Sequence, residues 1–165
     1  MSRAAPSETG VCGPGRDSYR SSMKITDMEP GDPRLGAEVL PVLQELRPHL
    51  TGELFSEVYA EGYPQGLRFT AAYTDDGSCA GVAGWRVVAN TSALRKLYVD
   101  DLVTAERARS GGVGRALLAH LEERARELGC RTLQLDSGTR RTDAHRFYLR
   151  ERMDITAFHF TKKLG

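Results

Sequence analysis

Cysteine is scarce in this chain. Cys12, Cys79 and Cys130 stand far apart and form no CxxC pair, which argues against a disulfide framework or a zinc site and fits a reducing, cytoplasmic setting. Long apolar runs are missing as well. No stretch approaches the roughly 20 residues that cross a bilayer, and the first residues carry no apolar core of the kind a secretory signal needs, so no membrane partner is expected. Charge of one sign is also lacking: 23 basic residues against 22 acidic ones leave a net charge of +1, and no electrostatic case exists for nucleic acid as a partner. His49, His120 and His159 show no ligand spacing, so no metal site is expected.

What remains describes an ordinary globular chain: 165 residues, 40% hydrophobic and 27% charged, enough for one domain with a real core and too few for two. In residues 1–22, Gly, Pro and Ser fill 10 of the 22 positions. Such a segment cannot bury enough apolar surface to offset its ordering entropy, which predicts a disordered tail over 1–22 and a folded domain over 23–165. Met23, opening the strand-like phrase Met23-Lys24-Ile25-Thr26, is expected near the domain start.

Within the domain the apolar period alternates between that of a helix and that of a strand. A short strand around Ile25 ends at Pro30-Gly31-Asp32-Pro33. Ala37, Val39, Leu40, Val42, Leu43 and Leu46 have helical spacing, with Pro41 near the first turns or at a kink. A second helix is expected from Gly52 to Tyr59. Leu67–Tyr73, Ala80–Val88 and Leu94–Val103 read as three strands joined by short polar links, hence antiparallel. Trp85, the only tryptophan, is expected in the core between sheet and helix.

Val113, Leu117, Leu118, Leu121, Ala125 and Leu128 recur as one face of a long helix that Gly129 should stop. Glu122 and Arg126 are placed to pair on its exposed side. The strand Thr132–Leu135 follows it and must run parallel to Leu94–Val103, because a helix separates them. A shorter helix over Asp143–Arg150, with Thr142 as its cap, and an alternating last strand, Ile155–Phe160, complete the order β-α-α-β-β-β-α-β-α-β.

Chemistry concentrates between the third of those antiparallel strands and the long helix. There Arg109-Ser110-Gly111-Gly112-Val113-Gly114-Arg115 brings glycines, arginines and a helix start together. Glycine lets several backbone N–H groups converge on one anion, the helix start adds about half a positive charge, and the arginines can add charge-assisted hydrogen bonds. The pattern suits a pyrophosphate. It is not a P-loop, since no Lys-Ser or Lys-Thr follows the glycines. Nor is it a dinucleotide fingerprint, whose third glycine would fall at Leu117.

Arg109-x-x-Gly112-x-Gly114 resembles the acetyl-CoA signature of the GCN5-related N-acetyltransferase (GNAT) family, (Q/R)-x-x-G-x-(G/A). Ala144-His145-Arg146-Phe147-Tyr148 resembles that family's fourth-helix motif. The resemblance implies an α/β (α+β) fold: a central mixed, mostly antiparallel sheet with one splayed parallel strand pair, flanked by about four helices. It implies that acetyl-CoA binds along Leu102, Val103 and Thr104 by its pantetheine arm and across Arg109 to Arg115 by its pyrophosphate, with Asp136 and Ser137 near the opening. The implied activity is transfer of acetyl to a primary amine by direct attack, the acceptor being a small molecule or a peptide. The rival reading is an acyl-CoA-binding module without turnover. A homodimer stays open. Two departures from the family pattern are Gly111, where a polar residue is common, and Arg152-Met153, where Gly-Phe is common.

A lysine-type amine, with a pKa near 10.4, must lose a proton before it attacks. The resemblance places carboxylate bases on the strand that holds Tyr98, Asp100 and Leu102 along one face. Asp100 is therefore the candidate base or amine anchor, with Asp101 the alternative if a bulge shifts the register. Tyr148 is the candidate donor to the departing thiolate, since a phenol stays protonated at neutral pH. Read without the resemblance, Tyr148 shares a helical face with Ala144 and Phe147 and would count as core.

Overall fold

The computed structural model describes residues 23–165, so the tail expected over 1–22 lies outside the described residues. Strand β1 (Lys24–Met28) is followed by a π-helical turn (Leu35–Val39) that runs into α1 (Leu40–Leu46), then α2 (Gly52–Gly62). Three strands follow, β2 (Arg68–Tyr73), β3 (Cys79–Asn90) and β4 (Leu94–Thr104). A 3-10 turn (Glu106–Ala108) leads to α3 (Val113–Glu127), β5 (Thr132–Leu135) and α4 (Thr142–Arg150).

The local causes are visible in the sequence. Pro41 sits in the first turn of α1, directly after the π-helical turn. Thr51 caps α2 by accepting from the Leu54 amide at 3.1 Å. In the β2–β3 turn, the Asp76 carboxylate accepts from the Thr74 hydroxyl at 2.6 Å and the Ser78 amide at 2.9 Å. Asn90 closes the β3–β4 turn by accepting from the Ala93 amide at 2.8 Å. The end of α3 is tied by the Cys130 amide donating to the Ala125 carbonyl at 2.8 Å, across Gly129. Glu122 and Arg126 pair at 3.2 Å, as their spacing predicts.

The five strands lie in sequence order, antiparallel except for the parallel pair β4–β5. Because strand side chains alternate between faces, each face has its own core. Val39, Leu43, Phe55, Phe69 and Val82 join α1 and α2 to one face. Leu117, Leu121, Ala83, Leu97 and Val99 join α3 to the other. Trp85 is buried in that second cluster, its indole N–H donating to the Thr70 hydroxyl at 2.9 Å. The mixed sheet with one parallel pair and four α-helices is the expected architecture. No described helix is long and apolar enough to cross a membrane.

Two expectations are corrected. Thr142 does not cap α4: it is the first helical residue, and Arg141 occupies the cap position without a side-chain hydrogen bond. Ile155–Phe160 forms no strand. Alternation specifies which side chains share a face, but a strand exists only when its backbone finds a ladder partner, and no described strand pairs with this segment. Phe158 and Phe160 stand in solvent, 85% and 90% exposed.

Candidate active site

Strand β4 changes character at Asp100. In its pairing with β3, Gly84 faces Asp101 while Trp85 faces Val99, so Asp100 is an extra residue and a β-bulge. The parallel ladder with β5 stops at the same level, at Val99↔Leu135. A bulge bends and over-twists its strand. Beyond it, Asp100 to Thr104 keep their pairing with β3 and have no strand partner on the β5 side. The result is a cleft between the C-terminal ends of β4 and β5, with free backbone groups of Leu102, Val103 and Thr104 along one wall. The Val103 side chain is buried in the core on the α1 side, leaving its backbone for the cleft.

At the end of that wall lies the glycine turn. Its backbone is wound into left-handed conformations at Ser110 (φ 65°) and Gly112 (φ 78°), and the Gly111 amide closes it onto the Ala108 carbonyl at 3.3 Å. Alternating right- and left-handed backbone makes successive N–H groups face one concavity. Helix α3 begins immediately after, and no side chain caps it, so its first amides are free to accept an anion. Arg109 and Arg115 flank the turn on exposed, loosely held side chains, 4.0 Å from Glu106 and 3.5 Å from Glu151.

Two close packings fix the turn in place. A Cβ on Gly81 of β3 would lie 2.5 Å from Val113 Cγ1 and 3.0 Å from the Val103 carbonyl oxygen. Only a glycine there lets the start of α3 sit directly on the sheet. A Cβ on Gly114 would lie 3.3 Å from Phe147 Cζ and 3.5 Å from Thr104 Oγ1. The close approach of α4 to α3 therefore passes through Gly114 and Phe147.

Tyr148 stacks edge-on against Phe147 at 5.3 Å, and its hydroxyl has no hydrogen-bond partner among the described residues. Burial holds its phenol above the ordinary value, with Arg141 opposing. Asp100 accepts from the Arg86 guanidinium at 2.8 Å. Burial raises its carboxyl above the usual range, and the same arginine opposes the shift. Asp101 is held separately by Arg47 at 2.9 Å. The bulge thus sends the two neighbouring aspartates to different arginines.

Asp136 and Ser137 were expected near this opening, but their contacts with Tyr98 and His159 were not. Tyr98 donates to the Asp136 carboxylate at 2.6 Å, which spans the β4 and β5 ends of the cleft. Burial and the Asp136 carboxylate both push the Tyr98 phenol upward. His159 Nδ1 meets the same carboxylate oxygen at 2.8 Å. The hydroxyl of Ser137 is buried there with no partner. No sequence period could have joined residues 98, 136 and 159, because their meeting depends on where β5 ends and the last segment runs. Tyr59 and Tyr63, near the end of α2, are not alike. Tyr59 belongs to the core, whereas Tyr63 carries the Arg68 guanidinium over its ring at 3.8 Å.

Residues 37–153 match the model of the acetyltransferase (GNAT) family. Among curated proteins, the chain is 30% identical over 112 residues to the uncharacterized N-acetyltransferase YhdJ of Bacillus subtilis, covering 68% of this chain and 79% of that one. It is 42% identical over 66 residues to the aminoalkylphosphonate N-acetyltransferase of Salmonella typhimurium, a match that spans 40% of this chain and 43% of that relative's length. Among solved structures, the aminoglycoside N-acetyltransferase AAC(6')-Iy in complex with CoA superposes with a TM-score of 0.72 at 17% identity, covering 86% of this chain and 94% of that one. Glucosamine-6-phosphate N-acetyltransferase from Arabidopsis thaliana gives 0.68 at 19%, covering 87% and 99%. The family match runs from α1 to the end of α4 and so takes in every wall of the cleft; the chain belongs to the GNAT family and is an acetyl-CoA-dependent acetyltransferase.

Proposed function

We propose that this protein transfers acetyl from acetyl-CoA to a primary amine by direct attack in a ternary complex. The observation that carries the reading is the uncapped start of α3 at the end of the opened β4–β5 pair. One feature offers an anion cradle and the other a slot of free backbone groups leading away from it. The residues present fit acetyl-CoA. Leu102, Val103 and Thr104 would bond the pantetheine amides as an added strand does. The amides of Ser110, Gly111, Gly112, Val113, Gly114 and Arg115 would hold the pyrophosphate, with Arg109 and Arg115 swinging in from solvent. The buried, unpartnered Ser137 hydroxyl is a donor left over for a carbonyl in the cleft.

The acceptor amine would enter beside Asp100 and Asp136. As the N–C bond forms and the C–S bond breaks, the amine gives up one proton and the thiolate takes one. Asp100, anchored by Arg86, accepts the amine proton directly or through water. Tyr148 donates to the leaving sulfur. Its raised pKa keeps it protonated before the step, and its hydroxyl spends no hydrogen bond elsewhere among the described residues. The carboxylates suit a cationic amine, and an aminoalkylphosphonate belongs in the acceptor panel because one curated relative is named for that substrate.

The test is release of free CoA from acetyl-CoA across a panel of small amines, aminoalkylphosphonates and peptides, run with wild type and Tyr148→Phe. Turnover with at least one amine is expected. The variant should lose on the order of 10²-fold in kcat while its KM for acetyl-CoA stays within about twofold. Tight CoA binding without turnover on any acceptor would make the protein a binding module, and an unimpaired variant would make Tyr148 structural.

A further inference from the structure

Along β4 and β5, Leu97, Val99, Leu133 and Leu135 pack into the core under α3. Strand side chains alternate, so Tyr98 and Gln134 turn to the opposite face of the sheet. Asp136 joins them by accepting from the Tyr98 hydroxyl at 2.6 Å. Three carboxylates thus border the open end of the β4–β5 pair, and their partners differ. Asp100 is held by Arg86 at 2.8 Å and Asp101 by Arg47 at 2.9 Å, so each carries its own countercharge. Asp136 pairs with no lysine or arginine among the described residues: its partners are the Tyr98 phenol and His159 Nδ1, at 2.8 Å. Lys96, on the same strand as Tyr98, spends its ammonium on Gln134 Oε1 at 2.8 Å.

Both donors converge on one oxygen, Oδ2. They fix the direction of the carboxylate and leave Oδ1 without a hydrogen bond among the described residues, on a side chain half exposed to the cleft mouth. An ionised carboxylate only accepts, so the free oxygen is matched by a cationic N–H donor. The reacting nitrogen of an acceptor is a poor match. It must be neutral to attack, and an uncompensated carboxylate beside it favours the charged form. Asp100, whose charge Arg86 offsets, suits that nitrogen better. Asp136 suits a nitrogen that stays charged.

We propose that Asp136 binds a second, non-reacting ammonium of the acceptor, which makes the acceptor class a linear di- or polyamine. Tyr98 and His159 are the positioning residues that hold Asp136 for this purpose. The proposal rests on the reading of the protein as an acetyltransferase acting on primary amines. One nitrogen is acetylated beside Asp100, where its N–C bond forms, the C–S bond breaks and its proton departs. The other stays an ammonium on Asp136 throughout and leaves with the product.

CoA release is to be compared between diaminobutane and butylamine, which has the same chain and one amine fewer. Wild type should favour the diamine by about tenfold in kcat/KM, mostly through KM, the size of one charge-assisted hydrogen bond. Asp136→Asn, close in shape and without the charge, should bring the two amines within about twofold of each other. Asp136→Glu should restore part of the preference. Tyr98→Phe keeps the charge and loosens its direction, so the preference should fall by about threefold, again through KM. Should Asp136→Asn fail to fold, ionic strength decides on wild type, since salt should erode the preference for the diamine. Equal kcat/KM for the two amines in wild type would overturn the proposal. So would a preference that persists in folded Asp136→Asn or that salt leaves untouched, and so would turnover confined to an aminoalkylphosphonate. Turnover with no amine at all would overturn the acetyl-transfer reading itself, and this proposal with it.

Discussion

The sheet is built to two standards. In β2 and the first part of β3 it is closed on both faces: Phe69, Thr70, Ala71 and Ala72 of β2 are buried in succession, and so are the first seven residues of β3. Helix α3 adds Val113, Leu117, Leu118, Leu121 and Ala125. Beyond β4 the standard drops, for neither β5 nor α4 contains a fully buried residue. The two regions meet along the cleft, and under the proposed function the difference divides the labour. An anion cradle made of backbone amides works only if its geometry is set in advance, so the glycine turn is fastened to the closed half. An acceptor must enter and leave, and low local stability suits the wall that it passes.

The largest expected effect breaks this comparison directly. Leu117→Ala removes a fully buried side chain under α3 and should cost about 2–5 kcal/mol in urea unfolding. Leu149→Ala, the same chemical change on half-exposed α4, should stay within about 0.5 kcal/mol. Equal losses would mean that the two halves are equally packed. Next comes Gly81→Ala. The new methyl would press on Val113 and on the Val103 backbone, and backbone cannot step aside as a flexible side chain can. A loss of about 1–3 kcal/mol is expected, together with weaker CoA binding by calorimetry, because the start of α3 is what moves. Destabilisation with unchanged CoA affinity would detach the cradle from the packing beneath it.

A pH profile sharpens the open half. Asp100 is raised above its ordinary value of 3.8 by burial. Its neutral form is therefore favoured by the fold: that contribution to stability is present below the unfolded value and is lost as pH rises through the folded one. For activity the sign is opposite, since the protonated carboxyl cannot take the amine proton. With an amine acceptor, log kcat/KM should rise with unit slope as the amine deprotonates, and steepen to a slope of two below the Asp100 value. Asp100→Asn should abolish the steeper limb and leave the unit slope. A variant that keeps both limbs would assign the base to another group.

The closed half was the legible half. Helical and strand periods are consequences of burial on a known face, and there the faces are buried. The glycine turn was legible for another reason, since its backbone geometry needs particular residue types at fixed spacing. The bulge at Asp100 was foreseeable only as an option, because register belongs to two strands and neither states it alone. Ile155–Phe160 misled because its pattern is that of a strand while no described strand pairs with it. Tyr98 and His159 converge on one oxygen of the Asp136 carboxylate from distant stretches of chain, which no local pattern encodes.

The smallest expected effect lies inside the turn, where two glycines do different work. Gly112 is held at φ 78° with open space around its Cβ position, so Gly112→Ala meets no neighbour and is strained by backbone alone, by about 1 kcal/mol. Gly114 is helical, and its added methyl would touch the rim of the Phe147 ring at 3.3 Å. That ring can shift by a few tenths of an ångström, and alanine recovers up to about 1 kcal/mol of helix propensity over glycine. Gly114→Ala should therefore leave thermal stability within about 0.5 kcal/mol of wild type and the KM for acetyl-CoA within about twofold, whereas Gly112→Ala should raise that KM severalfold by turning amides out of the cradle. If the two variants reversed their order, the anion site would rest on the packing of α4 against α3 and not on the left-handed turn that precedes it.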